Sequence, residues 1–406
     1  MAQQRKLISL YTGAGGLDLG LEAAGFATAV AVEMDTDAVA TLRHNRPWAV
    51  LDRDIHEISS DEILNVAGLR EGDADLLVGG PPCQPFSKSG YWASGDARRL
   101  DDPRASTLEA YLRVLRDVQP NAFLLENVAG LAYRNKDEGL NLLRTTIDSI
   151  NRAVGTAYSM NMALLKASEY GVPQDRERVF IIGHRDGMEF RFPEPTHSAG
   201  SDRLLGTEPV HTAWDAIGDL EDDDLPELRM TGKWAELLPS IPEGQNYLHH
   251  TDRGEGMSLF GWRRRYWSFL LKLSKTMPAW TITAQPGSAI GPFHWKNRRL
   301  SMRELARLQT FPDDFAVLGT RVAYQRQIGN AVPSALAELM GRCIIGQLMG
   351  GRMPAGRLSL LPKRRRPVPP AEPVLPVPKK YHALVGDHSP HPGTGRGYAA
   401  SCREAM

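Results

Sequence analysis

Lys6-Leu7-Ile8-Ser9-Leu10-Tyr11-Thr12-Gly13-Ala14-Gly15-Gly16-Leu17-Asp18 is the stretch whose reading decides the fold. Residues 6–11 form an apolar run of strand length, and the glycines end it. Leu17, Leu21 and Ala24 then recur at i, i+4 and i+7, one face of a helix. Strand, glycine turn and helix together open a doubly wound α/β domain, because glycine lets the backbone turn tightly and approach a ligand closely. Asp18 stands where G-x-G-x-x-G needs its third glycine, which weakens a nicotinamide dinucleotide reading. Glu33 ends a second predicted strand, 27–33, where an acid commonly holds ribose hydroxyls in such folds. Adenosine without a phosphate-binding loop points to S-adenosylmethionine, with a purely structural turn as the other reading.

Working outward, residues 75–79, 122–126 and 179–183 are further buried strands, and helical periods run near 38–45, 106–117 and 138–152. Apolar strands alternating with helices describe a mostly parallel sheet covered on both faces. The pattern dissolves after Phe192, and residues 229–298 are basic and aromatic without a sustained period. Helical periodicity returns at 301–311 and 334–348. The expected organisation is a catalytic and cofactor-binding domain at 1–192 completed by 325–350, and a smaller loop-rich domain at 193–324. Residues 354–378 hold eight prolines. The segment 351–406 is therefore expected to be a disordered, basic tail.

The chain has 406 residues, 42% hydrophobic and 24% charged, which suits a globular enzyme rather than a disordered chain. Apolar runs fall short of a membrane span, and the first residues are too short for a secretory core, so a cytoplasmic protein is expected. Cys83, Cys343 and Cys402 are widely spaced, which excludes a disulfide framework and a cysteine zinc site; no metal is expected. The zero net charge is unevenly spread. Residues 1–228 carry 22 Lys/Arg against 37 Asp/Glu, residues 229–310 carry 13 against 5, and residues 311–406 carry 13 against 6. A basic middle hints at a polyanionic partner.

Gly79-Gly80-Pro81-Pro82-Cys83-Gln84-Pro85 follows a strong strand and brings Cys83 to the crevice that the first glycine loop faces. Cys343, on an apolar helix face, fits packing instead. Glu126-Asn127-Val128 ends another strand at the same edge. In Gln174-Asp175-Arg176-Glu177-Arg178, alternation puts Gln174, Arg176 and Arg178 on one face, either as donors toward a polyanion or base edge or as part of a surface ion-pair ladder.

The order of these elements resembles that of the DNA (cytosine-5) methyltransferases. The resemblance continues through Arg299-Leu300-Ser301-Met302-Arg303-Glu304-Leu305-Ala306-Arg307-Leu308-Gln309-Thr310-Phe311-Pro312 and Gln327-Ile328-Gly329-Asn330-Ala331-Val332-Pro333, and it spans residues 7 to about 345. Tyr11, Ser9 and Met34 depart from the usual residues, details of the cofactor pocket only. The resemblance implies a methyltransferase fold with Cys83 as nucleophile and Glu126, Arg176 and Arg178 as catalytic partners. It implies S-adenosylmethionine held by Tyr11, Gly13, Gly15, Gly16, Leu17, Glu33, Met34, Asp54, Ile55, Pro82, Asn330 and Val332. It further implies double-stranded DNA contacted by Ser89, Arg104, Gln174, Arg263, Arg264 and Arg265, with 193–324 as the target-recognition domain. A restriction endonuclease acting on the same site is the implied partner, and a monomer is expected. A tRNA cytosine-5 methyltransferase and a catalytically silent DNA-binding regulator are the competing readings.

Overall fold

The computed structural model describes residues 4–82, 105–128, 138–200, 206–221, 225–260, 267–354 and 356–386. Strands β1 (Arg5–Leu10), β2 (Phe26–Val32), β3 (Ala49–Leu51), β4 (Leu76–Gly79), β5 (Ala122–Val128) and β6 (Asn161–Lys166) join one sheet with β8 (Glu177–His184), which a two-residue strand β7 (Gln174–Asp175) precedes. The order is β3-β2-β1-β4-β5-β8-β6. β1 pairs in parallel with both β2 and β4. The winding therefore reverses at β1, and the crevice beyond the carboxyl ends of β1 and β4 is the natural ligand site.

Helices cover both faces. On one, α3 (Ser60–Ala67), α4 (Ala105–Val118) and α5 (Glu138–Val154) press Ile63, Leu115 and Ile147 onto Ile8, Leu77 and Leu125. On the other, α1 (Gly16–Ala24) and α9 (Ser334–Leu348) bury Leu21, Leu336, Met340 and Ile344 against Leu7, Leu76 and Leu124. The two helices touch at their backbones: a Cβ on Gly20 would run into the Ser334 carbonyl, and one on Gly341 would lie 2.6 Å from the Ala24 Cβ. Cys343 is buried among these apolar side chains, and burial pushes its thiol up to about 11, as a packing residue should show.

The sheet departs from all-parallel pairing at β8, which runs antiparallel to β5 and β6. One short 3-10 turn, Ala167–Tyr170, separates β6 from the β7–β8 ribbon. A parallel crossover needs a dozen or more residues, so the strand must come back antiparallel. The reversal matters for the site, because it brings the amino end of β8 to the carboxyl end of β5.

Between 193 and 300 the chain is held by short 3-10 turns, by the one-turn helix α6 (Ala213–Ile217), and by a small aromatic core of Leu237, Leu238, Tyr247, Phe260, Phe269 and Phe293. Helices α7 (Met302–Leu308) and α8 (Arg321–Asn330) follow, and they pack with Leu19 of α1 and Ile217 of α6 in a third cluster. Residues 356–386, expected from their composition to lack fixed structure, pack on the body of the protein. Tyr381 is buried in the aromatic core, and Leu360 and Leu361 lean on the sheet core. Periodicity cannot reveal such a segment, because it buries isolated side chains and satisfies its backbone through the side chains of others. Among the described residues no helix is long and apolar enough to cross a membrane. Nor do they gather a group of side chains suited to hold a metal ion.

Candidate active site

A cavity of about 710 Å³ opens at the reversal point, lined among others by Tyr11, Gly13, Gly16, Leu17, Glu33, Met34, Asp54, Ile55, Pro82, Glu126, Arg178, Asn330 and Val332. Its first wall is the turn after β1. Tyr11 (φ 55°) and Gly13 (φ 56°) both adopt left-handed backbone, and Tyr11 donates through its hydroxyl to the Thr107 carbonyl at 2.7 Å. The Gly13 amide donates to Glu33 Oε2 (2.7 Å), and the Asp35 amide donates to Glu33 Oε1 (2.8 Å). Each oxygen keeps a lone pair for a further donor. Burial raises the Glu33 carboxyl above its usual range, and the two amides oppose the shift. A Cβ on Gly13 would meet nothing within 4 Å, so the turn presents open space at this point.

Gly15 is different from the other turn residues. It does not line the cavity, and a Cβ there would press on Leu42 (3.1 Å) and Trp48 (3.3 Å). Its φ of 79° caps the start of α1. Conformation and packing alone require a glycine here. Gly16 is needed for close approach, since a Cβ would lie 2.5 Å from the Val332 carbonyl. On the far wall Asp54 accepts from the His56 amide and faces the His56 ring nitrogen at 2.6 Å; these hydrogen bonds hold its carboxyl below the usual range. Met34 is 63% exposed beside the opening, an apolar surface awaiting a partner. Arg326 of α8, unremarked in the sequence reading, closes the rim by pairing with Asp35 (2.7 Å) and Asp37 (3.0 Å) at the start of α2 (Thr36–Asn45).

The second half of the cavity is where β5 and β8 meet. Antiparallel register sets Arg178 opposite Val128, two residues from Glu126 on the same strand face. Arg178 Nε lies 2.7 Å from Glu126 Oε1, an ion pair whose N–H is turned off the line of a hydrogen bond. Gly80 leaves space for this carboxylate, since a Cβ there would stand 3.0 Å from Glu126 Oε2. Burial raises the Glu126 carboxyl, while Arg178 and then Arg176 pull it down. The result is a buried acid whose protonation is poised by its neighbours. Asn127 donates to the Pro81 carbonyl at 3.2 Å, which fixes the loop entering Cys83.

Two expected contact residues are not at the surface. Gln174 is fully buried; its amide nitrogen donates to the Leu308 carbonyl and Gln309 Oε1, and its oxygen accepts from the Ile282 amide. With both ends engaged it has nothing to offer DNA, so that assignment is corrected. Arg176, 1% exposed, donates to the carbonyls of Ile282 (3.2 Å) and Gly329 (2.8 Å). It does not line the cavity, but its charge is felt by Glu126, whose carboxyl it helps to pull down. Strict alternation put the three side chains on one face, but the chain breaks its strand between β7 and β8, and Gln174 and Arg176 became pegs. Cys83, Ser89, Arg104, Arg263, Arg264 and Arg265 lie outside the described residues.

The sheet, its crevice and a buried acid–arginine pair define an enzyme of the nucleotide-cofactor α/β class. Residues 5–346 match the model of the C-5 cytosine-specific DNA methylase family, and the chain belongs to that family: it is a DNA (cytosine-5) methyltransferase. It is 41% identical over 377 residues to the type II methyltransferase M.SacI of Streptomyces achromogenes, covering 86% of this chain and 94% of that protein. It is 42% identical over 226 residues to M.AquIA of Picosynechococcus sp., covering 53% of this chain and 89% of the other. Both relatives are type II methyltransferases. A DNA modification methyltransferase encoded within a prophage of E. coli superposes with a TM-score of 0.59 at 24% identity, over 85% of this chain and 99% of that one. DNMT2 of Spodoptera frugiperda gives 0.58 at 17% identity, over 84% and 99%. Both likenesses concern the fold.

Proposed function

We propose that the enzyme methylates C5 of a flipped-out cytosine within a specific double-stranded DNA sequence, using S-adenosylmethionine and a transient bond from Cys83 to C6 of the base. It protects that sequence from a cognate restriction endonuclease. The observation that carries the reading is the buried Glu126–Arg178 pair in one cavity with the Gly13–Glu33 cradle, on the loop wall that leads into Cys83.

The cradle fits the cofactor. Glu33, whose oxygens keep lone pairs, would take the ribose hydroxyls, Asp54 would accept from the adenine, and Ile55 and Met34 would give its ring apolar contact. Tyr11, Gly13, Gly16, Leu17, Pro82, Asn330 and Val332 complete the walls. Bound there, S-adenosylmethionine supplies an electrophilic methyl group on a sulfonium. C5 of cytosine is a weak nucleophile, so the Cys83 thiolate adds at C6 and pushes electrons toward C5. Protonated Glu126 gives or shares a proton at N3, which neutralises the charge that the addition builds on the ring. Arg178 holds Glu126 and offers its remaining N–H groups to the base. After methylation a base removes the C5 proton, the C6–sulfur bond breaks, and Cys83 leaves as thiolate. The cytosine must leave the stack to be reached, at a cost of a few kcal/mol. Ser89 and Arg104 contact the flipped strand, and Arg263, Arg264 and Arg265 contact the groove.

DNA carrying 5-fluorocytosine tests the mechanism, because fluorine cannot leave as a proton does. The wild type is expected to form a denaturation-resistant adduct mapping to Cys83, and Cys83→Ala to form none while still binding cofactor. Turnover by Cys83→Ala would overturn it.

A further inference from the structure

Residues 356–386 run from the catalytic sheet to the aromatic core of the 230–293 region, and buried carboxylates receive their backbone along the way. Glu338 of α9, fully buried, accepts the amides of Ser359 (2.8 Å) and Leu360 (3.0 Å). Asp215 of α6, also fully buried, accepts the Arg365 amide at 2.8 Å, and Arg364 lies 3.3 Å from it. Arg365 pairs with Asp219 at 2.9 Å. The basic run 363–366 is thus engaged inward at these two arginines. Glu243 accepts the Glu372 amide at 2.8 Å. Lys275, 3% exposed, donates to Glu243 (2.6 Å), Glu372 (2.9 Å) and the Pro370 carbonyl (3.0 Å). Last, Tyr381 stacks on Trp234, with rings 5.9 Å apart and 13° from parallel, and its hydroxyl donates to the Lys233 carbonyl at 2.7 Å.

One segment therefore contributes apolar side chains to two cores, Leu360 and Leu361 to the sheet and Tyr381 to the aromatic core. Its midpoint grips Lys275, four residues before β9 (Ala279–Trp280), which pairs with β7. The next turn of that chain supplies the Ile282 carbonyl to Arg176, two residues from Arg178. We infer that residues 356–386 are a strap that sets the DNA-reading region against the catalytic crevice, with Glu372 and Tyr381 as positioning residues for DNA. Lifting the strap would strip donors from Glu338 and Asp215, leaving them Arg342 and the Thr212 amide, and a buried carboxylate with fewer donors is costly. The inference rests on reading the 193–324 region as the part that meets DNA.

The test uses full-length Tyr381→Ala and Glu372→Gln. Steady-state kinetics on DNA, calorimetry with S-adenosylmethionine, and proteolysis between 356 and 386 are read together. Tyr381→Ala is expected to raise the KM for DNA about tenfold, a coupling of the size that positioning contacts carry, with kcat reduced less and cofactor affinity unchanged. Tyr381→Phe keeps the stacked ring and should recover most of the loss; Glu372→Gln should fall between. An unchanged KM for DNA while the strap becomes protease-sensitive would overturn the inference. So would parallel loss of cofactor binding, which would make the strap a general part of the core. Failure of the underlying reading shows elsewhere: alanine at Arg263, Arg264 or Arg265 would then leave both DNA affinity and the methylated sites unchanged.

Discussion

Asn127 holds the Pro81 carbonyl through its amide at 3.2 Å, so the residue after Glu126, the proposed acid, is tied to the loop that leads toward Cys83, the proposed nucleophile. The same side chain accepts from the Val128 amide at 2.8 Å and is buried. Strand β5 thereby carries both Glu126 and the latch on the Pro81-Pro82 loop. Replacing Asn127 with Ala leaves the Pro81 carbonyl without this donor and frees the loop. We expect kcat to fall about 100-fold, as a small misplacement of a reacting group can cause, with cofactor affinity within twofold of wild type. Rapid-quench methyl transfer and calorimetry measure the two, and equal losses in both would point to a collapsed pocket.

Arg178→Gln alters the titration of Glu126. Burial raises that carboxyl and Arg178 opposes it, so removing the guanidinium lets the pKa climb further. Protonated Glu126 is the active form in the proposed chemistry, and activity is therefore lost on the alkaline side as Glu126 ionises. In the variant that alkaline limb of kcat/KM should move to higher pH, at activity reduced about 100-fold. A limb that stays or moves to lower pH would remove Glu126 as the acid.

Gly13 and Gly15 should separate function from folding. Both need left-handed backbone, which costs other residues roughly 1–2 kcal/mol. Only at Gly15 does a side chain also collide, with Leu42 and Trp48. Gly15→Val is expected to show the larger fall in melting temperature, and Gly13→Val the larger loss of cofactor affinity. Wild-type cofactor affinity in Gly13→Val would mean that the cradle faces something else.

Asp18 gives a pH signature. It is fully buried in the first turn of α1, receives the hydroxyls of Ser9 (3.1 Å) and Thr28 (3.4 Å), and is pushed by burial from 3.8 to about 7. A carboxyl raised on folding favours the folded state below its unfolded value and opposes it increasingly as pH rises toward the folded one. Asp18→Asn should therefore gain melting temperature relative to wild type between pH 4 and 7, reaching roughly 2–4 °C at pH 8. A constant difference across that range would show that folding does not raise the pKa of Asp18.

Much of this was legible before the structure. The glycine turn, Glu33 and the Pro81-Pro82 loop announced the crevice because each breaks a strand where a ligand would sit. Strand direction was not legible: nothing in residues 177–184 says that β8 runs back against β5, yet that reversal is what brings Arg178 to Glu126. Gln174 misled for a related reason. A polar or flexible residue near a site reads as contact, and only packing shows that Gln174 braces Leu308 and Gln309 while Gly15 accommodates Trp48. The strap escaped because its partners, Glu338, Asp215 and Glu243, are scattered far from it along the chain.

The contact of α1 with α9 bears on how the molecule is made. Residues 16–24 leave the ribosome early, but their buried face is completed by residues 334–348, synthesised more than 300 residues later. Contacts so distant in sequence form slowly and leave apolar surface uncovered meanwhile. The cavity, which Asn330 and Val332 help to line, likewise closes only after residue 332 has emerged. A nascent or prematurely terminated chain would then be catalytically silent and dependent on chaperones. Methyl transfer then begins only with finished molecules, and translation time sets how soon activity appears.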